Sequence, residues 1–146
     1  MSSQRSIHPH FQYYLDLKEQ PLIDLYVDLR SFILDKYPES NELLYHTHAL
    51  TSLYSITEKM GDAFCLIPIY TNHLNLAFGS GTLVADPFQL LQGTGKLMRH
   101  IPIKTPADYR NEKVASLIDA AYQLALEEVE KPMKVKGETI SKIKKV

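Results

Sequence analysis

The run Leu44-Tyr45-His46-Thr47-His48 places two histidines two positions apart. In an extended strand both would lie on one face, about 7 Å apart. Two imidazoles so placed can hold one divalent ion, iron or zinc, when a third ligand arrives from a neighbouring strand. His73 is the candidate third ligand: in residues 71–78, Leu74, Leu76 and Phe78 take one face while His73 and Asn75 take the other. The same constellation without a metal is a pocket for a small polar or anionic ligand. His46, His48 and His73 would orient it together with Tyr54, Arg99 and His100, between aromatic and aliphatic walls that exclude water. Lys96 adds positive charge beside Arg99 and His100, enough to attract an anion.

Other reactive patterns fail on spacing. Gly93-Thr94-Gly95-Lys96 has Leu90 where a phosphate loop needs its first glycine, and Leu97 where it needs Ser or Thr. Those glycines are expected to make a tight turn into the last strand of the sheet. Cys65 alternates with Ile67 and Ile69, which predicts a small core residue with a raised thiol pKa rather than a nucleophile. There is no Gly-x-Ser-x-Gly elbow and no His-Glu-x-x-His pair, so the pattern names no reaction and leaves open whether the chain is an enzyme. Asp24, Asp28 and Asp35, followed by Glu39 and Glu42, form an acidic ridge, expected to be a solvated face; loose iron or calcium binding is the alternative.

The elements that must carry these residues are legible in the periodicity. A short helical piece is expected over Phe11 to Leu17. A long helix follows from Pro21, with Leu22, Leu25, Tyr26, Leu29, Phe32, Ile33 and Tyr37 on one face, stopped by Pro38. The period then changes to two, and segments 42–48, 51–57, 63–70, 73–79 and 97–103 read as five strands on short connections, which favours antiparallel pairing. Pro68 marks the third as an edge strand or a bulge. Asp86 to Leu91 reads as a capped helical turn. A closing helix runs from Asn111, a plausible N-cap, to about Glu130, ahead of Pro132. The expected fold is α+β: an antiparallel sheet of about five strands, with a long N-terminal helix and a C-terminal helix on one face.

The 146 residues suit one domain, and a lone cysteine excludes an internal disulfide or multi-cysteine metal site. No apolar run is long enough to span a membrane, and residues 1–10 are polar without an apolar signal core, so a cytoplasmic protein is expected. The net charge of -1 is unevenly spread: residues 131–146 carry six lysines against Glu138, leaving an acidic remainder. That tail has no arginine or interleaved aromatics, which argues against a nucleic-acid partner. The expected division is a flexible arm over 1–10, one domain over 11–130 and a solvated basic tail over 131–146.

The most distinctive stretch is Ala85-Asp86-Pro87-Phe88-Gln89-Leu90-Leu91-Gln92-Gly93-Thr94-Gly95-Lys96-Leu97-Met98-Arg99-His100-Ile101. It resembles the bacterial YdhG-like domain family, whose members often carry a Gly-Thr-Gly-Lys-x-Met-Arg-His-like segment. The resemblance extends over roughly residues 15–126, through Ile23 to Pro38, Asn72-His73-Leu74-Asn75-Leu76 and the helix after Thr105-Pro106-Ala107-Asp108. It implies an α+β domain of unknown function, with some relatives described as frataxin-like iron chaperones, which would suit the acidic ridge. Where many members have an aromatic-Gly-x-Pro segment after the first strand, this chain has Tyr45-His46-Thr47-His48-Ala49, a feature of its own. Three readings follow: a small-ligand domain, a metal-handling protein with a divalent ion as cofactor or cargo, and a homodimeric interaction module.

Overall fold

Pro9 opens the first helix, α1 (Pro9–Leu15), where a missing N–H costs nothing, and the imidazole of His8 accepts the His10 N–H as a cap. Helix α2 (Gln20–Lys36) likewise carries Pro21 in its first turn and ends at Tyr37, whose backbone leaves the helical region before Pro38. Six strands follow: β1 (Asn41–His46), β2 (Leu50–Ser55), β3 (Ala63–Ile69), β4 (Leu74–Phe78), β5 (Arg99–Ile103) and, after helix α3 (Glu112–Glu128), β6 (Thr139–Ser141). Asn111 caps α3 by accepting the Val114 N–H. The computed structural model describes residues 5–129 and 135–144. Lys131, Pro132, Lys134 and Lys145 of the expected tail lie outside the described residues.

The strands form one sheet in the order β5-β4-β3-β2-β1-β6, antiparallel throughout except for β6, which runs parallel to β1. The α+β class and the helices at both ends of the chain are as the periodicity predicts. The sixth strand is a finding: part of the basic segment expected to be solvated tail pairs with β1 through Glu42–Thr139, Leu43–Ile140 and Leu44–Ser141. The expected N-terminal arm is also docked where it is described. Arg5 donates to the carbonyls of Pro38 and Ser40, and Ile7 packs on the core.

All three helices bury their apolar stripes against one face of the sheet. Phe11 and Leu15 of α1, Tyr26, Leu29 and Ile33 of α2, and Leu117 and Ile118 of α3 meet Leu44, Leu50, Tyr54, Ile67, Leu76 and Ile101. Cys65 sits in this core and burial pushes its thiol pKa up, as an inert core residue requires. On the opposite face a row of directly paired residues, Leu43, Leu53, Leu66 and Ala77, forms a smaller second cluster.

Pro68 does not mark an edge. β3 lies between β2 and β4, and its pairing with β4 is carried by Leu66–Ala77 and Ile69–Leu74, on either side of the missing donor. The irregularity in β3 falls at its other end, where the register shifts between Tyr54 and Ser55. The Asp86 segment is a capped turn rather than a helix: the Asp86 carboxylate accepts the N–H groups of Leu90 and Leu91, at 2.9 Å each.

Candidate functional site

The sheet's register decides which candidate residues can meet. β4 pairs with β5 so that Leu74 faces Ile103 while Phe78 faces Arg99. His73, just before Leu74, therefore stands at one end of the sheet and Arg99 at the other, five strand positions or about 17 Å away. The β1–β2 turn shares the His73 end, because antiparallel strands return alternate turns to the same side. The expected pocket is thus divided: His46, His48 and His73 belong to one end, and Lys96, Arg99 and His100 to the other.

At the first end, His46 closes β1 and is exposed, with its ring 4.3 Å from that of Tyr14. Partial burial, with the nearby charge of Lys18, lowers its pKa. His48 is exposed in the turn rather than in the strand, so the two do not share a strand face. His73 stacks on Tyr70 at 4.7 Å, its Nδ1 3.2 Å from Asn72 Oδ1, and Lys18 Nζ donates to the Tyr70 carbonyl.

At the other end the guanidinium of Arg99 folds back on the carbonyls of Gly95 and Met98, fastening the glycine turn instead of reaching for a ligand. Gly93 supplies the left-handed backbone this turn needs, with φ of 125°. His100 lies on the sheet face away from the helices, beside Ala77, and exchanges both backbone hydrogen bonds with Gln92, which covers the outer edge of β5. Lys96 is exposed on the turn and its carbonyl accepts the Thr82 hydroxyl.

Tyr54 belongs to neither end. It is fully buried, and its hydroxyl donates to Glu42 Oε2 at 2.9 Å. That leaves Ser52 to donate to Tyr54 and Tyr26 to donate to Ser52, a chain of hydroxyls running toward one carboxylate. Burial and the negative charge of Glu42 raise the pKa of both phenols, so they stay protonated. Glu42 was expected on the acidic ridge; instead it is 1 % exposed and receives Arg30 Nε and Nη2, with Thr139 donating to its second oxygen.

Asp28, Asp24 and Glu39 of the ridge are also engaged, Glu39 with Lys136 at 3.8 Å. Asp28 accepts the Tyr109 hydroxyl and both arms of the Arg110 guanidinium, and Asp24 accepts the Gln20 amide. Among the described residues no three His, Cys, Asp or Glu side chains gather closely enough to hold a metal ion. His46, His48 and His73 are therefore not assembled as the metal set their spacing suggested, because β1 ends before His48.

What the structure does assemble around His73 is a groove of about 390 Å³ between the start of α2, the β3–β4 turn and the end of β5. Pro21, Leu22, Leu25 and Ile103 make its apolar floor, while Thr71, Asn72, His73, Glu19 and Lys104 give it polar walls. Among the described residues neither Glu19 nor Lys104 is in an ion pair, so the groove keeps one negative and one positive group at its lining. Glu19, Thr71 and Lys104 were not candidates in the sequence. The available signal was their position at element ends, next to Pro21 and after β3 and β5, where loops converge on one end of a sheet.

No protein-family model matches the chain, and no curated protein or solved structure matches it either. Among the described residues no helix is long and apolar enough to cross a membrane.

Proposed function

We propose that the protein is a cytoplasmic binding domain for a small polar or anionic ligand, held in the groove beside His73. One observation carries this reading: a groove with an apolar floor gathers an imidazole, an amide, a hydroxyl, the Glu19 carboxylate and an ammonium that is in no ion pair among the described residues, at one end of the sheet. Few, convergent polar groups over an apolar surface are what a small-molecule site requires. Lys104 takes the anionic end of the ligand, His73 and Asn72 fix its orientation, and Leu22, Leu25 and Ile103 cover its carbon body. The stacking of His73 on Tyr70 holds the imidazole in place before the ligand arrives, which lowers the entropy lost on binding. Compared with the site anticipated around the sheet histidines, His73 is retained and Arg99 is replaced by Lys104. The stretch Ala85 to Ile101 supports membership of the YdhG-like family, whose members are themselves of unknown function, so the reading rests on the groove.

A thermal-shift screen across polar and anionic metabolites tests it. A ligand present at about a hundred times its Kd stabilises the folded state by roughly 2.7 kcal/mol. The expected result is a hit whose stabilisation falls sharply in both His73→Ala and Lys104→Met. A hit that survives both substitutions, or no hit at all, overturns the reading.

A further inference from the structure

A second cleft, sharing no residue with the groove, lies between the Asp86 turn and α3. It encloses about 210 Å³, walled by Phe88, Leu90, Leu117 and Ala120, with Lys113 and Ser116 at its rim. The turn that forms it is held open by its own hydrogen bonds. Both carboxylate oxygens of Asp86 are taken by the N–H groups of Leu90 and Leu91, and its carbonyl accepts Gln89 N–H. This closure drives Gln89 to φ of 55°, the one positive φ at a non-glycine among the described residues. The strained residue is thus next to Phe88, whose ring the turn keeps 53 % exposed rather than sinking it into the core. Strain maintained by surrounding structure is characteristic of ligand clamps.

The charges name the ligand class. Asp86 spends its oxygens on the turn. Lys113 Nζ sits 4.9 Å from the centre of the Phe88 ring and is in no ion pair among the described residues. Lys113 also stands in the first turn of α3, the positive end of the helix macrodipole. An apolar slot walled by an aromatic ring, with a cation and a hydroxyl at its mouth, suits a small carboxylate with an aromatic or short aliphatic body. We propose that this cleft is a binding site for such monocarboxylates. The ring of the ligand lies between Phe88 and Leu117, and its carboxylate meets Lys113 and the Ser116 hydroxyl. Cleft volume limits the body to a single ring or short chain.

The probe is phenylacetate, followed by backbone amide NMR on the full chain, with phenylacetamide and phenethylamine as matched controls. Phenylacetate is expected to shift amides in 86–90 and 113–120 and to bind more tightly than either control. Lys113→Gln weakens it by about fivefold, the upper range for a rim-exposed charge pair. Ala120→Leu fills the slot and abolishes the shifts, while His73→Ala, in the separate groove, leaves them unchanged. Equal binding of phenethylamine, unchanged affinity in Lys113→Gln, or shifts that miss both segments would each overturn the proposal. Unfolding curves of the variants show whether any loss reflects the fold, and a folded Ala120→Leu that still binds also overturns it.

Discussion

Arg30 and Glu42 form a two-point ion pair inside the protein, at 2.7 and 3.0 Å, with side chains only 5 % and 1 % exposed. The pair joins four pieces of chain. Arg30 comes from α2 and Glu42 from β1; the remaining guanidinium donors hold the carbonyls of Arg5 and Ser6, and the second Glu42 oxygen holds Thr139 of β6. Burial works against the charged guanidinium, but the hydrogen bonds and charge of Glu42 outweigh it and raise its pKa.

Breaking that pair from one side should be costly. Arg30→Met leaves Glu42 buried without its counter-ion and is expected to cost about 3–5 kcal/mol in denaturant unfolding. Adding Glu42→Leu and Tyr54→Phe, which removes the buried charge and the phenol that donates to it, should recover much of the loss. A triple variant no more stable than Arg30→Met would show that geometry, and not buried charge, sets the cost.

Asp28 gives a pH-dependent contribution of a smaller kind. Hydrogen bonds from Arg110 lower its pKa, against partial burial and with help from Tyr109. A carboxylate depressed in the folded state stabilises above its ordinary value of 3.8 and loses that contribution as pH falls through the folded value. Asp28 is 39 % exposed, so solvent screening keeps the pair below about 1 kcal/mol. Asp28→Asn should therefore be slightly less stable than the parent at neutral pH, with the gap closing under acid. A gap that persists at the lowest pH would assign the effect to the Tyr109 contact instead.

His46 titrates in the other accessible window. Its pKa is lowered by burial and then by Lys18, so the folded protein prefers the neutral ring. The stability it contributes is present above the ordinary histidine value of 6.5 and is lost as pH falls through the folded one. Imidazole proton NMR should show His46 titrating below 6.5 and moving upward in Lys18→Gln. An unmoved midpoint in that variant would leave partial burial as its sole cause.

Gly81 tests how closely Arg99 is seated. A Cβ at this position would overlap the Arg99 Cβ and stand 2.9 Å from its backbone nitrogen, which the pairing of β5 with β4 holds in place. Gly81→Ala should cost about 1–3 kcal/mol by overpacking. Amide exchange should rise across residues 93–99, because Arg99 fastens that turn through Gly95 and Met98.

The elements were readable where the signal is local. The stripe of Leu22, Tyr26, Leu29 and Ile33 and the alternation of Cys65, Ile67 and Ile69 both point into the core, and Asn111 caps its helix as its position suggested. Relations between distant residues were less visible. Alternation tells which face of a strand a side chain takes, but strand direction tells which end it occupies. In a meander, Arg99 at the start of β5 must lie opposite His73 at the start of β4, and the candidate pocket divides accordingly. Arg30 and Glu42 are ordinary surface types in a polar context, and nothing in their spacing marks them as partners across a core. Thr139-Ile140-Ser141 is too short to show a period of two, so β6 emerged only from its pairing with β1.

The parallel pairing of β6 with β1 has a consequence for how the sheet is completed. Thr139 reaches Glu42 across 97 positions of sequence, so the β1 edge is closed by a segment that emerges long after β1 itself. During synthesis the helices and the five-strand meander can form while this edge still presents unpaired backbone donors and acceptors, a template for joining another chain. Contacts of such separation form slowly. A chain shortened before Thr139 should therefore keep most of its core yet aggregate more readily, with the short last strand serving as the cover over the β1 edge.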